Sequence, residues 1–163
     1  MKVLVTGSRE WADAAMIRAA LEQVGASVVV HGDYEHGADR LADTVAKAMG
    51  LEVHPYPADW RRYGPSAGPR RNQQMLDSEH VAGDPIRLVL AFPTRRSRGT
   101  WDMCDRADRV GIEVRVCGDT GIKKRDTPEN RAFWLSVERA ADHWRDTMPM
   151  WAKQAVAKDS EAR

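Results

Sequence analysis

The chain has 163 residues, 42% of them hydrophobic, and a formal net charge of +1. That length and apolar content fit one domain with a core and room for an appendage, and the near-neutral balance excludes the global basic field of a general DNA coater. Its two cysteines, Cys104 and Cys117, have no spaced partners, which excludes a disulfide framework and a zinc motif. Both thiols are read as buried and reduced, and neither a metal nor a cofactor enters the reading. No stretch nears the roughly 20 apolar residues of a membrane helix, and Met1-Lys2 runs directly into a strand pattern. The expectation is a cytoplasmic chain with no membrane partner.

In chain order, Val3-Leu4-Val5 is a short apolar run bounded by Gly7, a buried strand. Met16, Ile17, Ala20, Leu21 and Val24 recur at helical spacing, and Gly25 closes that helix. Residues 28–31 form a second strand, and Leu41, Val45, Ala46 and Met49 mark a helix ended by Gly50. Residues 51–56 form a third strand, weakened by Glu52 and His54. Pro57, Gly64 and Pro65 predict an irregular loop over 57–67, and Pro69 suits the first turn of a helix reaching residue 80. Residues 86–92 are the clearest strand, 100–110 a helix closed by Gly111, and 112–116 the last strand. This alternation predicts an α/β fold with a parallel sheet of about five strands and right-handed crossovers, carried by residues 1–118.

Residues 119–163 are a linker and helical extension. Residues 118–126 are polar and basic; Thr127 then caps a helix with Pro128 at its first position. Phe133, Val137, Ala140, Trp144 and Met148 give that helix one apolar stripe. Pro149 breaks it, a short segment with Trp151 follows, and residues 158–163 are expected to fray.

Each of the first four strand patterns stops at a loop of glycine with polar or basic residues. In a parallel sheet those loops share one edge, where ligands bind. Gly7-Ser8-Arg9 offers close backbone approach, a hydroxyl and a cation; Gly32 and Gly37 bracket the second loop. Asp39, near a helix start, serves equally as a cap or as an acceptor for ribose hydroxyls, and His31 is read as a structural strand-end histidine. Trp60 is equally a base-stacking ring or a plug on the sheet edge, while Arg71 and Asn72 at a helix start suit phosphate or ribose. Arg98, Gly99 and Thr100 open a helix whose amides suit an anion. Arg61, Arg62, Arg95 and Arg96 are read as solvated loop charge.

As a set, five runs resemble the SLOG superfamily and, within it, the YspA-type branch. They are Gly7-Ser8-Arg9-x-Trp11, His31-Gly32 with Gly37-Ala38-Asp39, Pro57-Ala58-Asp59-Trp60, Ala67-Gly68-Pro69-x-Arg71-Asn72-x-x-Met75, and Ala91-Phe92 with Arg98-Gly99-Thr100. The superfamily includes the Lonely Guy phosphoribohydrolases and the DNA-processing protein A fold. The resemblance implies a Rossmann-like three-layer fold and a nucleotide-derived, ADP-ribose-like ligand. SLOG domains often dimerise, which favours a homo-oligomer built through the C-terminal stripe over packing of that stripe within the chain. Lonely Guy enzymes carry a Gly-Gly-x-Gly-Thr-x-x-Glu run; here Met103 stands where its glutamate would be. A thioether neither stabilises an oxocarbenium ion nor activates water, which argues against that chemistry.

The resulting expectation is a sensor or sequestering protein that binds through Gly7, Ser8, Arg9, Gly32, Gly37, Asp39, Trp60, Arg71, Asn72, Arg98, Gly99 and Thr100. The alternative is a nucleotide N-glycosidic hydrolase, with Asp39 or Asp102 as acid and Arg71 assisting. A further alternative, single-stranded DNA binding, is disfavoured by the net charge.

Overall fold

The computed structural model describes residues 1–118, 124–150 and 153–154. Five parallel strands, β1 (Lys2–Gly7), β2 (Val28–His31), β3 (Glu52–Pro55), β4 (Leu88–Phe92) and β5 (Glu113–Val116), form one sheet in the order β3-β2-β1-β4-β5. Between them run α1 (Ala14–Gln23), α2 (Gly37–Ala48), α3 (Trp60–Tyr63), α4 (Ala67–Glu79) and α5 (Arg98–Arg109); α6 (Pro128–Thr147) follows β5. This is the expected α/β fold, three-layered and Rossmann-like, with a C-terminal helix.

The strands alternate which face they bury. Val3, Val5, Val29, Leu88, Leu90 and Phe92 meet α1 and α2, whereas Leu4, Val30 and Val89 meet Met75 and Leu76 of α4 and Met103 and Ala107 of α5. β1 and β4 are buried almost throughout, as strands covered on both faces must be.

Two local expectations are corrected. The region 57–67 is not wholly irregular. Asp59 accepts a hydrogen bond from the Arg62 amide at 3.0 Å and caps the short α3, which a 3-10 turn over Gly64–Ser66 joins to α4. In α6 the buried row is Asn130, Trp134, Val137 and Ala141; Ala140 faces solvent, and Phe133 and Trp144 pack at the margin. The wide apolar face places Trp134 inward because its ring lies edge-on to Phe92 and Phe133, at 5.4 and 4.9 Å.

The helix therefore lies on α1 and on the face of β4 within its own chain, so the stripe gives no reason to invoke a second subunit. Asn130 also pairs with the edge strand, accepting from the Val116 amide at 3.0 Å and donating to its carbonyl at 2.9 Å. Cys104 and Cys117 are free, and burial pushes both thiols up to about 12. Within the expected 118–126 linker, residues 119–123 lie outside the described residues, as do Trp151 and residues 158–163. No helix among the described residues is long and apolar enough to cross a membrane.

Candidate ligand-binding site

β1 has β2 on one side and β4 on the other, so the chain winds away from it in both directions. The loops leaving the carboxyl ends of β1 and β4 diverge there, which opens a crevice in sheets of this kind. A cavity of about 970 Å³ fills that crevice. Its wall draws on the loops after β1, β2, β3 and β4, the four picked out in the sequence.

The predicted site residues divide by what holds them. Gly7 and Gly37 are required by the protein's own packing, and Gly32 leaves room for the Arg71 guanidinium. A Cβ on Gly7 would strike Ala38 and the Phe92 carbonyl, and one on Gly37, whose φ is +71°, would strike the backbone of Ser8 and Arg9. Gly32 and Gly37 are absent from the cavity wall, whereas Gly7 is part of it. Ser8 is buried; its hydroxyl accepts from the Glu10 amide at 3.0 Å and from Thr94 Oγ1 at 2.8 Å, tying the β1 loop to the β4 loop.

Arg71 is a clip as well as a wall residue. Its Nη1 donates to the carbonyls of Gly32 and, at 3.2 Å, Tyr56, and its Nε donates to Asn72 Oδ1 at 3.1 Å. Burial pulls the guanidinium below its ordinary value, and the like charge of Arg9 pulls the same way. Asp39 accepts from the Tyr34 amide at 3.2 Å. Burial raises its carboxyl above the usual range, against the opposing charge of Arg71 and the hydrogen bond from the Tyr34 amide. Asn72 donates to the Gly99 carbonyl at 3.2 Å and to Asp102 Oδ2 at 2.9 Å. Its amide thus locks α4 to the start of α5.

The start of α5 is where the cavity is chemically open. Ser97 precedes the helix but does not cap it; its hydroxyl accepts from the Thr94 amide at 2.8 Å instead. Among the described residues no side-chain hydrogen bond caps this helix start, and a Cβ on Gly99 would meet no atom within 4 Å. Thr100 is 2% exposed, and its buried Oγ1 has no hydrogen-bond partner among the described residues. An uncapped helix start, an unpartnered buried hydroxyl and the cation of Arg98 thus lie together on the cavity wall, a combination whose chemistry suits an anion.

Several wall residues escaped the sequence reading, among them two arginines and a tyrosine. Arg95 and Arg96, read as solvated loop charge, line the cavity beside Arg98, and Tyr34 faces it from the β2 loop. Arg9 lies over two rings, with Cζ 4.1 Å from the Tyr34 centroid and 5.3 Å from that of Trp60. Trp60 is 41% exposed and also lies against Gly68, so the ring packs on α4 while part of it stays open. Met103 is fully buried in the core on the α4–α5 face, while its neighbour Asp102 lines the cavity. His31 is structural. Its Nδ1 accepts from the Asp33 amide at 3.0 Å, which leaves Nε2 to donate to Asp43 at 3.2 Å.

The pattern of the YspA, cpYpsA-related SLOG family matches residues 1–63. The chain is also 40% identical over 128 residues to the Gene 61 protein of Mycobacterium phage D29, spanning 72% of this chain and 97% of that relative. The chain belongs to this SLOG family. Among solved structures, the SLOG fold seen here is similar to DNA processing protein A (DprA) from Streptococcus pneumoniae, with a TM-score of 0.52 at 17% identity. That likeness covers 90% of this chain but only 56% of the other, and at such identity it speaks for the fold alone. SLOG membership supports a nucleotide-related role.

Proposed function

We propose that this SLOG chain binds a phosphorylated, nucleotide-derived ligand of the ADP-ribose type at the β1/β4 crevice and acts as a sensor or sequestering protein. The observation that carries the reading is the start of α5, where uncapped amides, a Gly99 with open space before it and the unpartnered Thr100 hydroxyl adjoin Arg98. Such a start attracts a phosphate through its bare N–H groups and the helix dipole. Five arginines line the cavity, Arg9, Arg71, Arg95, Arg96 and Arg98, against the acids Glu10, Asp39 and Asp102. The excess of positive charge suits a ligand with more than one anionic group. Its size falls within the ~300–1,000 Å³ of ordinary small-molecule sites.

Mass spectrometry of small molecules released from the purified, denatured protein tests the reading. Recovery of an intact nucleotide supports binding; recovery of a free base with a ribose phosphate supports turnover instead. That second reading, N-glycosidic hydrolysis, is favoured by Asp39 and Asp102, two carboxyl groups on one cavity wall, of which Asp39 has the raised value suited to an acid. The binding reading needs no second copy of the chain. A role in DNA processing, the activity for which DprA is named, is tested by adding single-stranded DNA to the same preparation.

A further inference from the structure

Arg9 is held by aromatic faces. Its guanidinium lies over the rings of Tyr34 and Trp60, and among the described residues it forms no hydrogen bond or ion pair. All three side chains line the cavity, Arg9 is exposed, and Trp60 is 41% exposed. Arg9 also depresses Arg71 by like-charge repulsion, so its present position is electrostatically unfavourable for a second wall residue.

We infer that Tyr34 and Trp60 form the recognition slot for a nucleobase, and that Arg9 is a removable occupant of it. The inference rests on the nucleotide reading above and deepens it by assigning the base subsite. A guanidinium and a nucleobase are both flat and both seek ring faces, so a surface that holds one suits the other. An exposed cation–π contact is weaker than base–aromatic stacking, so an arriving base displaces the arginine. Arg9 follows Gly7 and Ser8 on the loop leaving β1, so once displaced it is tethered beside the crevice where the anion seat lies. An anion there relieves the repulsion between Arg9 and Arg71. The base is therefore stacked and the phosphate clamped in one exchange. Because every base has a π face, the slot selects a planar heterocycle rather than one particular base.

The test uses three probes on the full chain by titration calorimetry: adenosine, ADP and inorganic pyrophosphate. Arg9→Ala empties the slot and removes a cation. Adenosine affinity is expected to rise several-fold while pyrophosphate affinity falls. Tyr34→Leu and Trp60→Leu remove ring faces. Each is expected to weaken adenosine and ADP by about tenfold and to leave pyrophosphate unchanged, in line with the usual size of base stacking. The opposite signs in Arg9→Ala separate a displaced occupant from a general loss of fold. If Arg9→Ala leaves adenosine binding unchanged, lowers it, or leaves it undetectable as in the wild type, the slot is overturned. If the wild type binds adenosine but not pyrophosphate, the phosphate reading fails while the slot stands.

Discussion

The guanidinium of Arg71 occupies the space into which a side chain at Gly32 would project; a Cβ there would collide with Nη1 and Cζ and lie 2.7 Å from Asp39 Oδ2. Gly32 thus serves the protein by letting Arg71 reach across from α4 to the ends of β2 and β3. Gly32→Ala is expected to expel Arg71 and cost roughly 1–3 kcal/mol, the range for overpacking a closed site. Arg71→Ala removes the group that is struck, so Gly32→Ala/Arg71→Ala is expected to be less destabilised than the sum of the single variants. Urea unfolding of all four proteins measures this. Simple additivity would mean that the two residues do not share the site.

Gly99→Asp separates binding from folding. A Cβ at this position meets nothing within 4 Å, and a carboxylate in the first turn of a helix favours the helix dipole. The variant is therefore expected to melt at or above the wild-type temperature. Pyrophosphate binding is expected to vanish, because negative charge and bulk then sit where an anion would meet the amides. Calorimetry and thermal unfolding on one preparation decide it. Undiminished pyrophosphate affinity would move the anion seat away from α5.

Met103 fixes what can be restored by mutation. Its side chain faces Leu4, Val30 and Met75 in a closed core, and the carboxylate that reaches the cavity is that of Asp102. Met103→Glu is expected to lose about 3 kcal/mol or more from burying an unpaired carboxyl group, with no release of base from nucleoside monophosphates. Calorimetric unfolding and chromatography after long incubation supply the two readouts. A stable Met103→Glu protein that releases base would show that the side chain reaches the cavity after all.

The difference between Asp102 and Met103 also shows how far the sequence could be read. The strands were legible because runs such as residues 88–92 are buried on both faces and end at polar or glycine-containing loops, and the site's edge followed from parallel topology alone. Contacts across long sequence separations were not legible. Asn72 spans 30 residues to Asp102, which consumes an amide that looked free for ribose or phosphate. Tyr34 joins Arg9 and Trp60 only through folding of three loops, so nothing in its own neighbourhood marked it. Arg95 and Arg96 look like ordinary surface charge in sequence, and only the cavity wall distinguishes them. The row chosen for α6 missed Trp134 because apolar residues on adjacent rows satisfy a 3.6-residue period equally well.

A polar cluster on β3 and α4 sets an expected pH dependence. His54 is raised above its ordinary 6.5, first by its hydrogen bond to Glu52 at 2.6 Å, and also by Glu79 at 2.8 Å, with burial opposing. A raised folded value means that the charged histidine stabilises the native state. That contribution is complete below 6.5 and is lost as pH rises through the raised folded value. Glu79 behaves in the opposite sense. Burial pushes it up, but donors from Tyr56, Lys2 and His54 outweigh this and hold it below its ordinary 4.5. Its contribution is present above 4.5 and lost as pH falls through the lowered value. His54→Gln is expected to flatten the loss of stability on the alkaline side and to shrink, without abolishing, the acid limb, because Tyr56 and Lys2 still hold Glu79 down. Urea midpoints at a series of pH values measure both limbs, and an unchanged alkaline limb would remove His54 from this role.

The last prediction concerns α6. Trp134 is buried against Phe92, and its indole N–H has no hydrogen-bond partner among the described residues. Trp134→Ala leaves a cavity at the junction of α6, α1 and β4 and is expected to cost about 3–5 kcal/mol. Trp134→Phe keeps most of the ring contact and deletes the unsatisfied donor, so it is expected to cost less than about 1.5 kcal/mol. Trp144→Glu loses only a half-buried ring stacked by Arg18 at 5.1 Å and is expected to fall between the two. Because the apolar row is covered within one chain, none of the three is expected to change the particle mass seen by light scattering. A fall in mass with Trp144→Glu, at unchanged stability, would mean that the outer margin of α6 contacts a second copy.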